Sequence, residues 1–498
     1  MKIILILSLF FLSLPFALPY NTLDNEDDYE ETGDTIESDF EDCVTDSIFP
    51  EDTELPWEAR IRERLSILAA EADEAYYTTG ICVYDLTGDS LLFEYNQHKV
   101  MRPASTQKLL TAIAALSVLG ADHQYRTRAY YTGNVSPDST LHGDIYIVGD
   151  FDPAFSYSDM LELASSIENL GVRRIEGKVY GDISMKDSLY FGNGWCWDDA
   201  PSEVEAYLSP LTFNRGCATV EIVEGKPDFS IPTSYLKLED RTSRSGRFSV
   251  TRNWIHGGNT FVASGKPSRN SHKTLSVYRP ELYFLCTLTD ILHERGVEII
   301  HCEGDSSEYA LQILPSSSTP FYTCHRTIEQ ILQRMMKKSD NLYAESMFYQ
   351  LASINSGRWA SWKDGARQVE SVIHKAGESS AYTEVADGSG VSLYNYVSPQ
   401  TEVAMLRYAF RTPSIYDALF PSLPVAGMDG TLSERMTRGT AYGNVHAKTG
   451  TVSGVSCLAG YCTASNGNIL AFSIMNNGLM KTSTGRHFQD RVCQELTK

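Results

Sequence analysis

The chain has 498 residues, 42% of them hydrophobic and 21% charged, and a formal net charge of −22 at pH 7. That length is too great for one ordinary hydrophobic core, so two or three domains are expected. Residues 24–54 hold 15 acidic residues and no Lys or Arg, so the remainder is only mildly acidic. A basic surface for nucleic acid is therefore not predicted.

The first 54 residues predict export and disorder. Lys2 precedes an apolar run over residues 3–16, and Ala17 is a small residue suited to a cleavage site. We therefore predict a secretory signal peptide over residues 1–17 and an acidic, disordered tail over residues 18–54. The apolar run is too short to span a bilayer comfortably, which favours an exported periplasmic protein with at most a loose membrane association.

Ten cysteines are spread along the chain. None belongs to a Cys-x-x-Cys pair or to a His/Cys cluster with zinc spacing, so neither a metal nor another cofactor is predicted. Disulfide connectivity cannot be read from the sequence. Cys457 and Cys462 should point to opposite faces of a strand-like segment, so a bridge between these two is not expected.

Short strand-like runs come first in chain order. Residues 81–86 and 90–95 flank a Thr-Gly-Asp turn, which indicates a hairpin. Apolar residues then recur over residues 109–119 with gaps mostly of three, which predicts an apolar helix face beginning near Ser105. Many short β-type runs, separated by Gly, Pro, Asp and Asn, follow over residues 122–320 and predict an inserted β-rich region of one or two domains.

Helical periodicity returns over residues 328–351 and is broken at residues 338–341, which predicts a turn between two helices. Strand-like segments at residues 456–461 and 468–475 precede a closing helix that begins near residue 485. Because strands occur near both ends of the chain, we expect one sheet built from the first and last segments.

Residues 105–108 read Ser-Thr-Gln-Lys at the start of the first predicted helix. Side chains three apart on a helix are neighbours, so Lys108 can reach the Ser105 oxygen. A serine needs an adjacent base to act as a nucleophile, and a lysine is such a base only when burial or positive charge lowers its pKa. Ser234 and Lys237 have the same spacing without an apolar helix, and an ordinary helix cap would also explain Ser105.

Two further elements follow in the order that an acyl-serine enzyme would use. Residues 339–341 read Ser-Asp-Asn in the predicted turn, and residues 448–450 read Lys-Thr-Gly directly before a strand. Each alone could be an ordinary polar turn. Together with Ser105 and Lys108 they match the signature of penicillin-binding proteins and class A β-lactamases.

Further landmarks accompany these elements, namely Arg102-Pro103-Ala104-Ser105, Gly143-Asp144, Asp152-Pro153, Trp195-Cys196-Trp197-Asp198-Asp199 and Asp387-Gly388-Ser389-Gly390-Val391-Ser392. With them the chain resembles the D-alanyl-D-alanine carboxypeptidase/endopeptidase family, the class C low-molecular-mass penicillin-binding proteins. The resemblance implies an α/β (α+β) fold of the serine β-lactamase/transpeptidase type with β-rich inserted domains, one nested in another. The catalytic domain would comprise residues 55–121 plus 321–498, and the insertion residues 122–320.

The resemblance also implies catalytic roles. Ser105 would attack the carbonyl carbon of a penultimate D-alanine to form an acyl-enzyme, and Lys108, neutral in the resting site, would accept its proton. Ser339 would pass a proton to the departing amine, and Asn341 would hydrogen-bond the substrate backbone. Lys448 would keep Lys108 neutral by like-charge repulsion and attract the terminal carboxylate of the substrate.

Substrate-binding roles fall on the residues after Lys448. The resemblance implies that Thr449 binds the terminal carboxylate. Gly450 would let substrate lie against the strand, where a side chain would obstruct it. The backbone N–H groups of Ser105 and Thr451 would form the oxyanion hole.

Substrate selectivity is implied at two other positions. Asp199 aligns with an acidic residue that binds the free amine of the stem-peptide diamino acid in this family, although a surface acid is an equal alternative and Asp198 is adjacent. Leu393 stands where the family commonly has an arginine. With leucine in place of that arginine, the site would lack a bidentate donor for a second carboxylate on the substrate.

Three functions compete on these grounds. The first is a serine-type D-Ala-D-Ala carboxypeptidase or peptidoglycan endopeptidase that acts on stem peptides and is acylated by β-lactam antibiotics. A β-lactamase would need a deacylating base, and no Glu-x-x-Leu-Asn string lies between Asn341 and Lys448. The third is an inactive peptidoglycan-binding protein. The sequence contains every polar group that the acyl-transfer reaction needs, which argues against this third function.

Overall fold

The computed structural model describes residues 55–300 and 308–498. The predicted signal peptide at residues 1–17 and acidic tail at residues 18–54 lie outside the described residues, as do Cys43 and Cys302.

The described ranges contain ten α-helices. They are α1 (Trp57–Asp73), α2 (Gln107–Leu119), α3 (Tyr157–Asn169), α4 (Pro280–Glu294), α5 (Ile328–Lys337), α6 (Asn341–Ser356), α7 (Trp362–Lys375), α8 (Pro399–Phe410), α9 (Pro413–Leu419) and α10 (Thr482–Thr497).

The same ranges contain twenty strands. They are β1 (Thr78–Asp85), β2 (Ser90–Tyr95), β3 (Gln124–Tyr131), β4 (Asn134–Val135), β5 (Thr140–His142), β6 (Ile145–Val148), β7 (Arg174–Ile175), β8 (Val179–Asp182), β9 (Cys217–Val223), β10 (Lys226–Phe229), β11 (Lys237–Arg247), β12 (Ser249–Arg252), β13 (Thr260–Lys266), β14 (His272–Ser276), β15 (Glu298–Ile299), β16 (Tyr309–Leu311), β17 (Thr319–Thr327), β18 (His446–Val452), β19 (Val455–Thr463) and β20 (Ile469–Asn477).

Strands from the two ends of the chain form one five-stranded sheet in the order β18-β19-β20-β1-β2. Every neighbouring pair in it is antiparallel. The prediction of a single sheet from the first and last segments is therefore confirmed. Strand β18, which carries the Lys-Thr-Gly element, lies at one edge of this sheet.

Helix α2 lies in the centre of the core beside this sheet. All residues from 107 to 116 are buried. The sequence predicted only one apolar face, but Leu, Ile and Ala side chains occupy every side of the helix, and a helix that is apolar all round belongs in a core. The first turn of α2, with Lys108, is thereby held inside the protein.

The described part of residues 122–320, predicted as an insertion, builds four further sheets together with β17, of five, four, three and three strands. It also holds helices α3 and α4, of 13 and 15 residues, so it mixes helix and strand. The boundary predicted at residue 320 falls inside β17, which pairs antiparallel with β3 over most of its length.

The buried apolar residues form two clusters. One surrounds α2, α5, α6 and α7 and includes Leu110, Ile113 and Phe348. The other fills the inserted region and includes Ile147 and Phe284. The fold is thus mixed α/β, with a core of its own in the inserted region.

Eight cysteines lie in the described ranges, and all eight are free thiols, including Cys457 and Cys462. Over residues 55–300 and 308–498, no helix combines the length and the apolar character that crossing a membrane would require.

Candidate active site

Ser105 lies on a short 3-10 turn, Ala104–Thr106, that leads directly into α2. The Lys108 ammonium nitrogen lies 2.9 Å from Ser105 Oγ. Ser105 is half-buried, whereas Lys108 is fully buried. The two side chains therefore meet as their helical spacing predicted, with the serine at the surface and the lysine beneath it.

The competing pair at Ser234 and Lys237 does not form such a unit. Ser234 Oγ donates to Asp290 Oδ1 at 2.7 Å, and Lys237 begins strand β11. Neither residue lies on a helix, so the resemblance to residues 105–108 is one of letters only.

Lys108 also binds two acceptors from distant parts of the chain. Its Nζ donates to Asn341 Oδ1 at 2.6 Å and to the Ser389 carbonyl oxygen at 2.8 Å. Three acceptors, including Ser105 Oγ, therefore hold the amine in one place. Asn341 is the first residue of α6, so two helices and a loop converge on this nitrogen.

Burial lowers the pKa of Lys108 to about 8, while the carboxylates of Asp387, Glu205, Glu345 and Asp340 oppose this shift. The main cause is loss of solvation, rather than the like-charge repulsion from Lys448 that was expected. At pH 7 such a lysine is mostly protonated, so the expected neutral resting form predominates only above pH 8.

Ser339 and Lys448 form a second pair. Lys448 is fully buried, and its Nζ donates to Ser339 Oγ at 2.9 Å and to the Thr449 carbonyl at 2.8 Å. Ser339 has a φ of +58°, an uncommon value for a non-glycine residue. Asp340 caps α6 and binds Arg334, which fixes the turn that carries Ser339.

Thr449 and Thr451 point away from the core on the edge strand β18, since one is half-buried and the other exposed. The Thr449 hydroxyl lies 2.7 Å from the Thr431 hydroxyl. Thr431 was not identified from the sequence, although its Asp-Gly-Thr setting next to a turn was a possible signal.

Gly450 lies on the opposite face of β18 from Thr449 and Thr451. A Cβ atom there would come within 2.4 Å of the Pro103 carbonyl oxygen and 3.1 Å of the Ser105 nitrogen. The structure thus gives a reason for glycine that the sequence did not indicate: Gly450 admits the turn that carries Ser105. The close packing of β18 against the turn that carries Ser105 brings the Ser105–Lys108 pair and the Ser339–Lys448 pair into one site.

The loop at residues 387–392 supports the nucleophile from the other side. Gly390 has a φ of +85°, and a Cβ there would lie 1.8 Å from the Ala104 carbonyl oxygen. Glu345 Oε1 accepts from the backbone nitrogens of Gly388 and Ser389 at 3.0 and 2.8 Å. The sequence analysis did not identify Glu345. Its two hydrogen bonds orient the loop so that the Ser389 carbonyl accepts from Lys108.

Asp199 lies outside both pairs. It ends a 3-10 turn, Trp197–Asp199, and its Oδ2 accepts from the Cys196 nitrogen at 3.0 Å. Burial raises the pKa of Asp199. The neighbouring Trp195 donates to Asp387 Oδ2 at 2.9 Å, which anchors this segment to the loop beside the nucleophile.

Known proteins resemble the chain over most of its length. The model of the D-Ala-D-Ala carboxypeptidase 3 (S13) family matches residues 62–498. A D-alanyl-D-alanine carboxypeptidase from Actinomadura sp. (strain R39) is 31% identical over 445 residues, which cover 84% of this chain and 81% of that protein.

Two solved structures share the fold. Penicillin binding protein 4 (dacB) from Haemophilus influenzae has a TM-score of 0.74 and 25% identity, and the match covers 87% of this chain and 98% of the other. The same protein complexed with a novel β-lactam has a TM-score of 0.71 and 23% identity, with coverage of 87% and 99%. The predicted fold class is confirmed.

Proposed function

The chain belongs to the D-Ala-D-Ala carboxypeptidase 3 (S13) family, and from this we propose that it is a serine-type D-Ala-D-Ala carboxypeptidase and peptidoglycan endopeptidase that acts through an acyl-enzyme on Ser105. The observation that carries the proposal is the 2.9 Å contact between Ser105 Oγ and the buried Lys108 amine. A nucleophile in contact with a base of lowered pKa is the arrangement that acyl transfer needs.

Acylation forms a bond from Ser105 Oγ to the substrate carbonyl carbon, and the Oγ proton passes to neutral Lys108. The tetrahedral intermediate then collapses, the carbon–nitrogen bond breaks, and the proton that Lys108 accepted passes through the Ser339 hydroxyl to the departing amine. The 2.9 Å contact of Ser339 with Lys448 supports this relay, because the ammonium keeps the hydroxyl aligned. Water then attacks the acyl-enzyme and regenerates Ser105.

Substrate would lie along the free edge of β18. Among the described strands, β19 is the one that pairs with β18, and the segment at Val425 bridges the other side of β18 at His446. An extended peptide could add to the edge beyond His446 through main-chain hydrogen bonds. The Thr449 hydroxyl, with the nearby charge of Lys448, would bind the terminal carboxylate. The backbone nitrogens of Ser105 and Thr451 would hold the oxyanion, which the close approach of Gly450 to Ser105 supports.

Asp199 and Leu393 would set the preference for the substrate side chain. We assign Asp199 to an ammonium group on the stem peptide, because its half-buried carboxyl lies on the segment that Trp195 ties to the active-site loop. With Leu393 in place of an arginine, a second carboxylate on that side chain would lack a bidentate partner.

The cellular setting belongs to the same proposal. Peptidoglycan stem peptides lie outside the cytoplasm, so the enzyme would be exported to the periplasm by the signal peptide at residues 1–17, with the tail at 18–54 as a spacer. The catalytic domain would comprise residues 55–121 and 321–498, and residues 122–320 would form the insertion. β-Lactams would acylate Ser105, as the β-lactam complex of the Haemophilus influenzae protein suggests.

Mass spectrometry of the wild-type protein with two substrates tests this function. A pentapeptide ending in D-Ala-D-Ala should lose one D-alanine, and penicillin should form a slowly released adduct on the peptide that contains Ser105. Rapid penicillin hydrolysis without an adduct would instead indicate a β-lactamase. Binding of peptidoglycan with neither an adduct nor D-alanine release would indicate an inactive binding protein. A cross-linked muropeptide in parallel measures the endopeptidase activity.

The rate of acylation by penicillin should depend on pH through Lys108. Only the neutral amine accepts a proton, and a lysine is neutral above its pKa, here about 8. The rate should therefore rise about tenfold per pH unit below pH 8 and level off above it. Adduct formation measured from pH 6 to 10 checks this, with Ser105→Ala as the background. A rate that is constant across this range, or that falls above pH 8, would contradict Lys108 as the base.

A further inference from the structure

Glu205 contacts the catalytic network from the inserted region. Its side chain is 8% exposed, and its Oε1 accepts from Asn341 Nδ2 at 3.2 Å. The preceding Val204 carbonyl accepts from the same nitrogen at 3.3 Å. Asn341 therefore has two acceptors on its nitrogen side and the Lys108 amine, 2.6 Å away, on its oxygen side.

This arrangement leaves the Asn341 amide only one favourable orientation. A rotated amide would place its oxygen against the Val204 carbonyl and Glu205, and its nitrogen against the donor on Lys108. Both mismatches would be buried, where an unpaired polar group costs most. Without Glu205, the Asn341 nitrogen would keep one of its two acceptors, the Val204 carbonyl, and the amide would be held less firmly.

The charge of Glu205 matters to the same network. Burial raises its pKa well above the usual range, with Asp199, Asp387 and Glu345 adding to the shift and Lys108 opposing it. Burial thus favours the neutral form of this carboxyl. Since an ionised Glu205 would raise the pKa of Lys108, a neutral one leaves the base easier to deprotonate.

Stability alone does not account for this side chain. Glu205 Oε2 is buried and has no hydrogen-bond partner among the described residues. Burial of such an oxygen without a partner is unfavourable, and an apolar side chain of similar size would avoid the cost. A residue that weakens the fold next to reactive groups points to a role in the reaction.

We propose that Glu205 is a positioning residue for the general base: through the Asn341 amide it fixes the amide oxygen on Lys108 and thereby sets the orientation and basicity of the amine. The inference rests on the proposed serine mechanism. It gives residues 122–320 an indirect part in tuning a base whose three acceptors, on Ser105, Asn341 and Ser389, lie outside that range.

Acylation by fluorescent penicillin from pH 6 to 10, together with thermal unfolding, tests the role in the full chain. Glu205→Gln keeps a neutral acceptor for Asn341, so its rate should stay within about threefold of wild type with the same pH midpoint. Glu205→Leu removes the acceptor, so its rate at pH 8 should fall about tenfold or more and its pH midpoint should move below that of wild type. The thermal unfolding midpoint of Glu205→Leu should not fall in proportion to the loss of acylation rate.

Glu281 provides the matched control. It is fully buried in the inserted region and also has an unpartnered Oε2, but its partners are Tyr190 and Arg279, away from Ser105. Glu281→Gln and Glu281→Leu should leave the rate and pH midpoint of the folded fraction unchanged.

Two results would overturn the inference while leaving the proposed function intact. One is a Glu205→Leu variant with the wild-type rate and midpoint. The other is a Glu205→Gln variant whose midpoint moves as far as that of Glu205→Leu, which would indicate a charge effect instead of positioning. If wild type itself forms no adduct, the proposed function fails first.

Discussion

Ser105→Ala should abolish both the penicillin adduct and the release of D-alanine. The variant lacks the only oxygen that Lys108 can activate in this site, and no acyl-enzyme can form without it. We expect turnover to fall by at least about 10⁴-fold, since loss of a covalent nucleophile leaves only binding and oxyanion stabilisation. Intact-protein mass spectrometry and D-alanine release measure the two effects.

Ser234→Ala is the natural control, because it removes the serine of the other Ser-x-x-Lys sequence. Ser234 Oγ binds Asp290, so the variant can lose some stability. Its adduct yield and turnover should equal those of wild type. An adduct that persists in Ser105→Ala, or that disappears in Ser234→Ala at unchanged stability, would show that Ser105 is not the nucleophile.

The sequence predicted which candidate side chains lie together where their placement is local. Ser105 and Lys108 meet across one helical turn, so their spacing alone brings them together. The contacts of Lys448 with Ser339 and of Lys108 with Asn341 join segments that are far apart in the chain, and spacing does not predict them. The shared sheet was predictable as well, since strands close to both chain ends must find partners. These features depend on short-range geometry and hydrophobic patterning.

The contacts that tune the site were not predictable in this way. Lys108 binds the Ser389 carbonyl, 281 positions away, and a backbone carbonyl leaves no trace in the amino-acid letters. Glu205 lies in an inserted region whose orientation no local pattern reveals. The depressed pKa of Lys108 follows from the depth of its burial, which became evident only when α2 proved to be apolar on every side.

Gly450 has a packing role that the sequence analysis did not identify. Side chains alternate along a strand, so residues 448 and 450 share the inner face and residues 449 and 451 share the outer one. Lys448 had been placed inside the site, and Gly450 therefore had to face the turn of Ser105. The alternation of side chains along the strand was therefore sufficient to predict the face on which Gly450 lies.

Lys108→Met should reduce acylation by about 10³-fold while leaving the site assembled. Methionine is close to lysine in length and keeps the buried volume, but it offers no proton acceptor for Ser105, and removal of a general base costs about 10²–10⁴-fold. Asn341 Oδ1 and the Ser389 carbonyl would each lose a donor. The remaining rate should lose the rise towards pH 8, because the group responsible for it is absent.

Lys186→Met separates loss of the base from loss of a buried amine. Lys186 is 1% exposed, donates to Asp187 Oδ1 at 2.8 Å, and lies 4.8 Å from the ring centre of Tyr349. Both methionine variants remove the hydrogen bonds of a buried amine and leave its acceptors without their donor, so both should lose about 1–3 kcal/mol of stability. Only Lys108→Met should lose acylation when rates are compared per folded molecule. If the two variants lose the same fraction of their acylation rate, Lys108 has only a structural role. A general base must lower the acylation rate on removal by more than the accompanying loss of stability explains.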